Sequence, residues 1–301
     1  MTHIVIASYP KAQKAAILGL QDLLTAAGEF HTSGFKISIR DTFTATHETF
    51  DVVILPPSMG ANLNDVSDEN LANWLRAQHA SGALICSVCV GAFYLAATGL
   101  LDGRPATTHW ELTDQFRKRF PQVQLNTEKL IIEDGDLITA GGLMAWADLG
   151  LLLIARFLGP ATMQKTAKLF LLDPGKREQS YYNVFAPDLT HGDKPIKQAQ
   201  QWIQAHFSDA ITVPDMARES GLEERTFLRR FQAATGWRPS EYLQQLRIAH
   251  AREHLERTQD NIGIIAAAVG YSDVASFSKL FQKTVGLPPG EYRRRFTPAR
   301  N

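Results

Sequence analysis

Cysteine is scarce in this sequence: Cys86 and Cys89 are the two in a chain of 301 residues. A disulfide-stapled secreted scaffold is thereby excluded, and a reducing cytoplasm is the expected compartment. No apolar run reaches the ~20 residues that a membrane-spanning helix needs. Met1-Thr2-His3 leads straight into a short apolar strand, not into a charged and then apolar leader. A membrane partner is therefore not expected, and low-complexity tracts are also missing. Net charge is zero, with 31 Lys and Arg against 31 Asp and Glu. The balance is uneven along the chain. Residues 195–301 hold 15 basic against 11 acidic side chains (+4), whereas residues 1–194 hold 16 against 20 (−4). A basic C-terminal block behind an acidic remainder fits nucleic-acid binding confined to one end.

What is present is a repeat. At an offset of 50, Phe227 meets Phe277, Phe231 meets Phe281, Gln232 meets Gln282, Gly236 meets Gly286, Pro239 meets Pro289 and Tyr242 meets Tyr292. Each copy reads as helix, short glycine-containing turn, helix, stop. In the first, Val213 to Glu219 follows Thr212 as N-cap, Gly221 supplies the turn, and Glu223 to Thr235 carries Phe227 and Phe231 on one face. In the second, Ile262 to Ala268 and Asp273 to Val285 flank a turn at Gly270. This is the helix-turn-helix pattern, whose second helix enters a DNA major groove. The exposed positions of those second helices are Arg225, Arg229 and Arg230 in one copy and Ser276, Ser278, Lys279, Gln282 and Lys283 in the other. Such side chains suit phosphates and base edges. Between the copies, Ser240 to Arg257 forms a helix of about 27 Å. That length could set two recognition helices on successive grooves, ~34 Å apart.

Residues 212 to 296 resemble the AraC-type transcription regulators. The resemblance is carried by Arg225-Thr226-x-x-Arg229-Arg230-Phe231, Gly236-x-x-Pro239 and Leu246-Arg247-x-x-x-Ala251. It continues in Gly270-Tyr271-Ser272-Asp273, Ser276-Phe277-Ser278-Lys279-x-Phe281, Gly286-x-x-Pro289 and Tyr292-Arg293-x-x-Phe296. It adds Thr226 to the expected DNA contacts. Lys279 departs from the family, which usually carries Arg there, so a bidentate contact is not expected at that position.

Upstream, strands alternate with helices: Ile4 to Ala7, Ala12 to Ala27, Phe35 to Arg40, Val52 to Leu55, Asp68 to His79, Ala83 to Val88 and Gly91 to Thr98. The order predicts parallel βα units in a doubly wound, mostly parallel, flavodoxin-like sheet. Glu133-Asp134-Gly135-Asp136 reads as a hairpin turn, and helices about Met144 to Phe157 and Ala161 to Leu172 close the domain. The breaker-rich stretch 173–194 reads as a linker. The expected division is a sensing domain at 1–172, a linker at 173–194 and an all-α DNA-binding domain at 195–301, its two units at about 212–236 and 262–286.

Ser87-Val88-Cys89-Val90-Gly91, between a buried strand and a helix, has the form of a nucleophile elbow. The helix N-terminus would favour a thiolate at Cys89. His109 is expected at the end of the next strand, on the same rim. Cys86-x-x-Cys89 has no further pair of ligands at zinc spacing, so neither a metal nor a cofactor is expected.

The stretch from Cys89-x-Gly91-Ala92-Phe93 through Gly99-Leu100-Leu101-Asp102-Gly103-Arg104 to Thr107-Thr108-His109-Trp110 resembles the ThiJ/PfpI and class I glutamine amidotransferase-like superfamily. Enzymes of that superfamily place a carboxylate after the first strand. Here the loop reads Ser8-Tyr9-Pro10-Lys11-Ala12-Gln13, and Val90 stands where several of them have His or Thr. The resemblance therefore implies a non-catalytic pocket, with Cys89, Val90, Gly91, His109 and Trp110 as candidate ligand-binding residues and Asp148 as a further one. The expected function is a DNA-binding transcription regulator, an activator, answering to an amino-acid or amine metabolite. Its expected partners are double-stranded promoter DNA, the small effector, RNA polymerase and a second copy of the chain. The alternatives are a cysteine-dependent amidase or hydratase using Cys89, and a thiol sensor at the same residue.

Overall fold

A computed structural model describes residues 1–44, 48–60, 68–175 and 177–297. One position of the expected linker and the last residues of the expected DNA-binding domain lie outside the described residues. The chain divides into two compact units, Met1–Ser180 and Tyr181–Asn301.

The first unit opens with β1 (Thr2–Ala7), α1 (Lys14–Glu29), β2 (Phe35–Arg40), β3 (Val52–Leu55), α2 (Glu69–Ala80), β4 (Leu84–Val88) and α3 (Gly91–Ala96). The uniformly apolar runs Val52–Leu55 and Leu84–Val88 are buried throughout because helices cover both faces of the sheet. Next come β5 (Pro105–Ala106), a 3-10 turn at Trp110–Leu112, α4 (Thr113–Arg119), β6 (Gln124–Leu125), β7 (Ile131–Asp134), β8 (Leu137–Ala140), α5 (Ala145–Leu158) and α6 (Pro160–Leu169). The main sheet has the order β2-β1-β3-β4-β8-β7, parallel except where β7 returns antiparallel to β8. That return is the hairpin expected at Gly135, and Arg104 clasps it by donating to Asp134 and Asp136.

One expectation is corrected. The strand before His109 does not join the main sheet: β5 pairs with β6 in a separate two-stranded sheet, and β8 takes the place beside β4. Pro105 has no amide hydrogen to give a central ladder, and His109 stands in the loop beyond. It still reaches the elbow, because Thr108 Oγ1 donates to the Cys89 carbonyl at 2.7 Å.

The second unit is helical: α7 (Lys194–His206), α8 (Val213–Glu219), α9 (Glu224–Thr235), α10 (Pro239–Arg257), α11 (Ile262–Ala268), α12 (Val274–Val285) and α13 (Pro289–Phe296). The sequence repeat becomes a packing repeat. Phe231 meets Tyr242 edge-on at 5.2 Å, and Phe281 meets Tyr292 at 5.5 Å. Thr212 and Asp215 close a capping box on α8, while Asn261 and Asp273 cap α11 and α12. Gly221 and Gly270 take positive φ, 68° and 86°, at the two turns. No single apolar stripe runs down α10, because its two halves serve different cores. Tyr242, Leu243 and Leu246 complete the core of the first repeat, and Ile248, Ala251 and Leu255 that of the second. Among the described residues no helix is long and apolar enough to cross a membrane.

Candidate functional site

Cys89 sits between β4 and α3 with φ 55°, left-handed geometry that a side-chain-bearing residue adopts at a cost of about 1–3 kcal/mol. Two hydrogen bonds hold it there. Its N–H donates to the Ala140 carbonyl at 2.7 Å, and its own carbonyl accepts from Thr108. Gly91 admits the tight turn: a Cβ there would lie 2.6 Å from the Leu55 carbonyl oxygen. The elbow read from Ser87 to Gly91 is thus a built feature of the backbone.

Its electrostatics run against the sequence reading. Burial pushes the Cys89 thiol up to about 11, outweighing the lowering by the Val90 N–H, and the charge of Glu111 adds to the rise. The expectation that the helix N-terminus favours a thiolate is therefore reversed. Desolvation acts on nearly the whole side chain, while α3 is a short helix with little dipole to offer. In the loop after β1, where the superfamily enzymes carry an acid, Tyr9 is buried. Its hydroxyl donates to the Pro56 carbonyl, its ring packs on Tyr94 at 4.3 Å, and burial holds its phenol neutral. A neutral phenol turned onto a backbone carbonyl cannot take the thiol's proton.

A pocket of about 250 Å³ opens over this elbow, lined by Ser58, Met59, Cys89, Val90, His109 and Glu111 among others. His109 is lowered from its ordinary value by burial, so it is neutral at neutral pH. Its Nδ1 accepts from the Glu111 N–H at 3.3 Å, and its ring stacks on Trp110 at 5.7 Å. Glu111 is the formally charged side chain among the described residues that line this pocket.

The structure thus brings Cys89, Val90 and His109 to one pocket. Gly91 is not in its lining and packs against Leu55 and Pro56, and Trp110 touches it through His109. Asp148 is elsewhere. It pairs with Arg177 and lines a second cavity of about 460 Å³ against Leu130, Leu151 and Met163. Ser58, Glu111 and Leu143 were not singled out in the sequence. They come from loops far apart in the chain, and only Glu111, two residues past the Thr-Thr-His-Trp motif, had a local signal. Among the described residues no cluster of three or more His, Cys, Asp or Glu could hold a metal.

In the second unit, Arg225 and Arg229 are exposed on α9 and Thr226 is half-buried beside them. Arg230 turns inward: it donates through Nε and Nη2 to Asp193 at 3.0 and 2.8 Å, and Asp193 also caps α7. On α12, Ser276, Lys279, Gln282 and Lys283 are exposed and Ser278 is half-buried. Phe277 and Phe281 anchor the opposite face of that helix.

A doubly wound domain with an elbow cysteine, followed by two helix-turn-helix repeats on a shared connecting helix, defines a transcription regulator with a metabolite-sensing domain. The DJ-1/PfpI family model matches residues 25–156 and a helix-turn-helix domain model matches residues 216–295. The chain belongs to the AraC-type regulators that carry a DJ-1/PfpI N-terminal domain. It is similar to the HTH-type transcriptional regulator GbdR of Pseudomonas aeruginosa, 28% identical over 255 residues, covering 84% of this chain and 69% of that one. It is also similar to the HTH-type transcriptional regulator GlxA of Rhizobium meliloti, 30% identical over 218 residues, covering 71% of this chain and 66% of that one. A crystal structure from Vibrio parahaemolyticus shares the fold of the first unit with a TM-score of 0.50 at 22% identity, covering 56% of this chain and 98% of that one.

Proposed function

We propose that this regulator senses a small amine or amino acid in the Cys89–His109 pocket and answers by changing how α9 and α12 occupy a promoter. The observation that carries this reading is the make-up of the pocket. A neutral thiol, a neutral imidazole and apolar Met59 and Leu143 surround one carboxylate, Glu111, at the mouth. A single acid among neutral groups suits an ammonium or quaternary-amine head. For DNA, Arg225, Thr226 and Arg229 of the first repeat and Ser276, Ser278, Lys279, Gln282 and Lys283 of the second form the contact set, with Arg230 serving as a strut for α7. The sensing domain is assigned to 1–172, the connecting stretch to 173–194 and the reader to 195–301. We assign the chain the roles of activator, homodimer and RNA polymerase partner, in the cytoplasm. No turnover is assigned to Cys89, since the loop from Ser8 to Gln13 offers no acid to activate it and Tyr9 within it is turned onto the Pro56 carbonyl.

Calorimetric titration of the purified chain with a panel of amino acids and quaternary amines tests the ligand class. Binding by an amine, lost in Glu111→Gln and in His109→Ala while promoter affinity is kept, supports the pocket; full binding in both variants overturns it. Footprinting tests the reader. A duplex protected over competitor DNA supports it, and no preference for any duplex sinks it.

A second reading has one observation in its favour. The chain is 28% identical over 169 residues to the isonitrile hydratase of Pseudomonas putida, covering 52% of this chain and 72% of that enzyme. Hydration of an isonitrile that is lost in Cys89→Ala and kept in Arg229→Ala would establish that reading and displace ours.

A further inference from the structure

Among the described residues near the pocket Gln179 carries the most side-chain hydrogen bonds, and it belongs to none of the elements that form the pocket. It is buried at 2% exposure. Its Nε2 donates to Thr107 Oγ1 at 3.0 Å and to the carbonyls of Thr108 at 2.8 Å and Lys129 at 2.9 Å. Its Oε1 accepts from the Trp110 N–H at 3.1 Å, and its own N–H donates to the Glu128 carbonyl at 2.9 Å. Space has been made for it: a Cβ on Gly141 would lie 2.0 Å from the Gln179 amide nitrogen.

Two of those partners and Gly141 lie next to groups that line or hold the pocket, whereas Lys129 and Glu128 do not. Thr108 bonds Cys89, Trp110 follows His109, and Gly141 follows Ala140, whose carbonyl accepts the Cys89 N–H. The chain then passes through Ser180 to Tyr181, which is buried in the core of the second helix-turn-helix repeat with Phe277 and Phe281. Just beyond, Arg252 donates to the Asn183 carbonyl. A movement of the His109–Trp110 segment must therefore either break buried hydrogen bonds, which is costly when no water replaces them, or carry Gln179 along.

We propose that Gln179 is the positioning residue that transmits occupancy of the Cys89 pocket to the DNA-binding unit. It reads the loop beside His109 with its amide and passes displacement along the backbone to Tyr181. The proposal deepens the sensor reading above and rests on it. It requires that the Gln179–Tyr181 segment have two arrangements whose equilibrium the pocket biases, and amide exchange on either side of the segment reads that equilibrium.

The test uses the full chain and a probe of known position. The Cys89 thiol, losing its proton to solvent, attacks the sulfenyl sulfur of methyl methanethiosulfonate; the S–SO2 bond breaks, methanesulfinate leaves, and the methyl disulfide formed fills the pocket reversibly, while Cys86 is fully buried in β4. Hydrogen–deuterium exchange is then followed at residues 107–112 and at 181–185, before labelling, after it and after dithiothreitol. The expected result is a reversible several-fold change at both segments in the wild type. In Gln179→Ala and in the volume-keeping Gln179→Met, the change should persist at 107–112 and vanish at 181–185. A wild type that changes at 107–112 alone overturns the proposal while leaving the pocket reading intact. The same holds if either variant still responds at 181–185. A wild type unchanged at 107–112 removes the pocket reading itself, and the proposal with it.

Discussion

Arg230 and Asp193 form a two-pronged ion pair that ties α9 to the first turn of α7. Its neighbour Arg229 is exposed on α9. Two adjacent arginines, both credible DNA contacts in the sequence, are thus given different tasks by the direction in which they leave the helix.

The two are separable by experiment. Arg229→Ala should weaken duplex binding and lower the slope of log affinity against log salt by about 1, as for one lost phosphate contact, with the melting temperature unchanged. Arg230→Ala should lower the melting temperature of the helical unit, and Arg230→Lys should only partly restore it, because one ammonium cannot reproduce the fork. Salt-dependent binding and thermal melts of the two variants provide the check. Equal salt slopes for the two would overturn the assignment.

Phe277 is fully buried in the core of the second repeat, and Phe227 holds the equivalent place in the first. Truncating either to Ala should cost about 3–5 kcal/mol. Because α10 divides its buried side chains between the two cores, the damage should begin locally. In Phe277→Ala, amide exchange should accelerate in 262–296 before 213–235, and the order should reverse in Phe227→Ala. Uniform acceleration in both would mean that the two cores melt as one.

Cys89 should behave as a desolvated thiol. With its titration pushed up to about 11, the rate of alkylation by iodoacetamide should rise about tenfold per pH unit through the neutral and mildly alkaline range, since the thiolate is the reactive form. A rate that levels off near neutral pH would reveal an activating partner and would favour the hydratase reading. The measurement is a pH series of alkylation rates followed by mass spectrometry.

Asp136, in the hairpin between β7 and β8, is held down to about 2, first by Arg104 and then by His79. A carboxyl whose folded value is depressed adds stability that is present above its unfolded value and lost as pH falls through the folded one. The contribution should therefore decline from about pH 4 towards about pH 2. Asp136→Asn should flatten stability across that window. Urea melts at a series of acid pH values provide the test.

Much of this molecule was legible in order. Phe35–Arg40, Val52–Leu55, Val213–Glu219 and Ile262–Ala268 have in the structure the bounds their patterns predict. The elbow at Cys89 was readable because small residues must flank such a turn. The lack of an acid between Ser8 and Gln13 is plain in the sequence, but the place of Tyr9 in that loop depends on Pro56 and Tyr94, which no local pattern connects to it. The helix α13 was not expected beyond the stop at Pro289, although Tyr292 copies Tyr242 and so already marked a second copy of the start of α10.

By itself the sequence determined the two repeats, the alternation of strand and helix and the small-residue turn around Cys89. All of these follow from periodicity, caps and backbone sterics within a few residues. Only the tertiary structure decided that β5 leaves the main sheet, that Asp148 and Cys89 face different cavities, that Arg230 is bound to Asp193 and that Gln179 reaches back among the pocket loops. Each of those outcomes depends on partners dozens of residues away, and packing and buried hydrogen bonding select such partners with no trace in the local pattern.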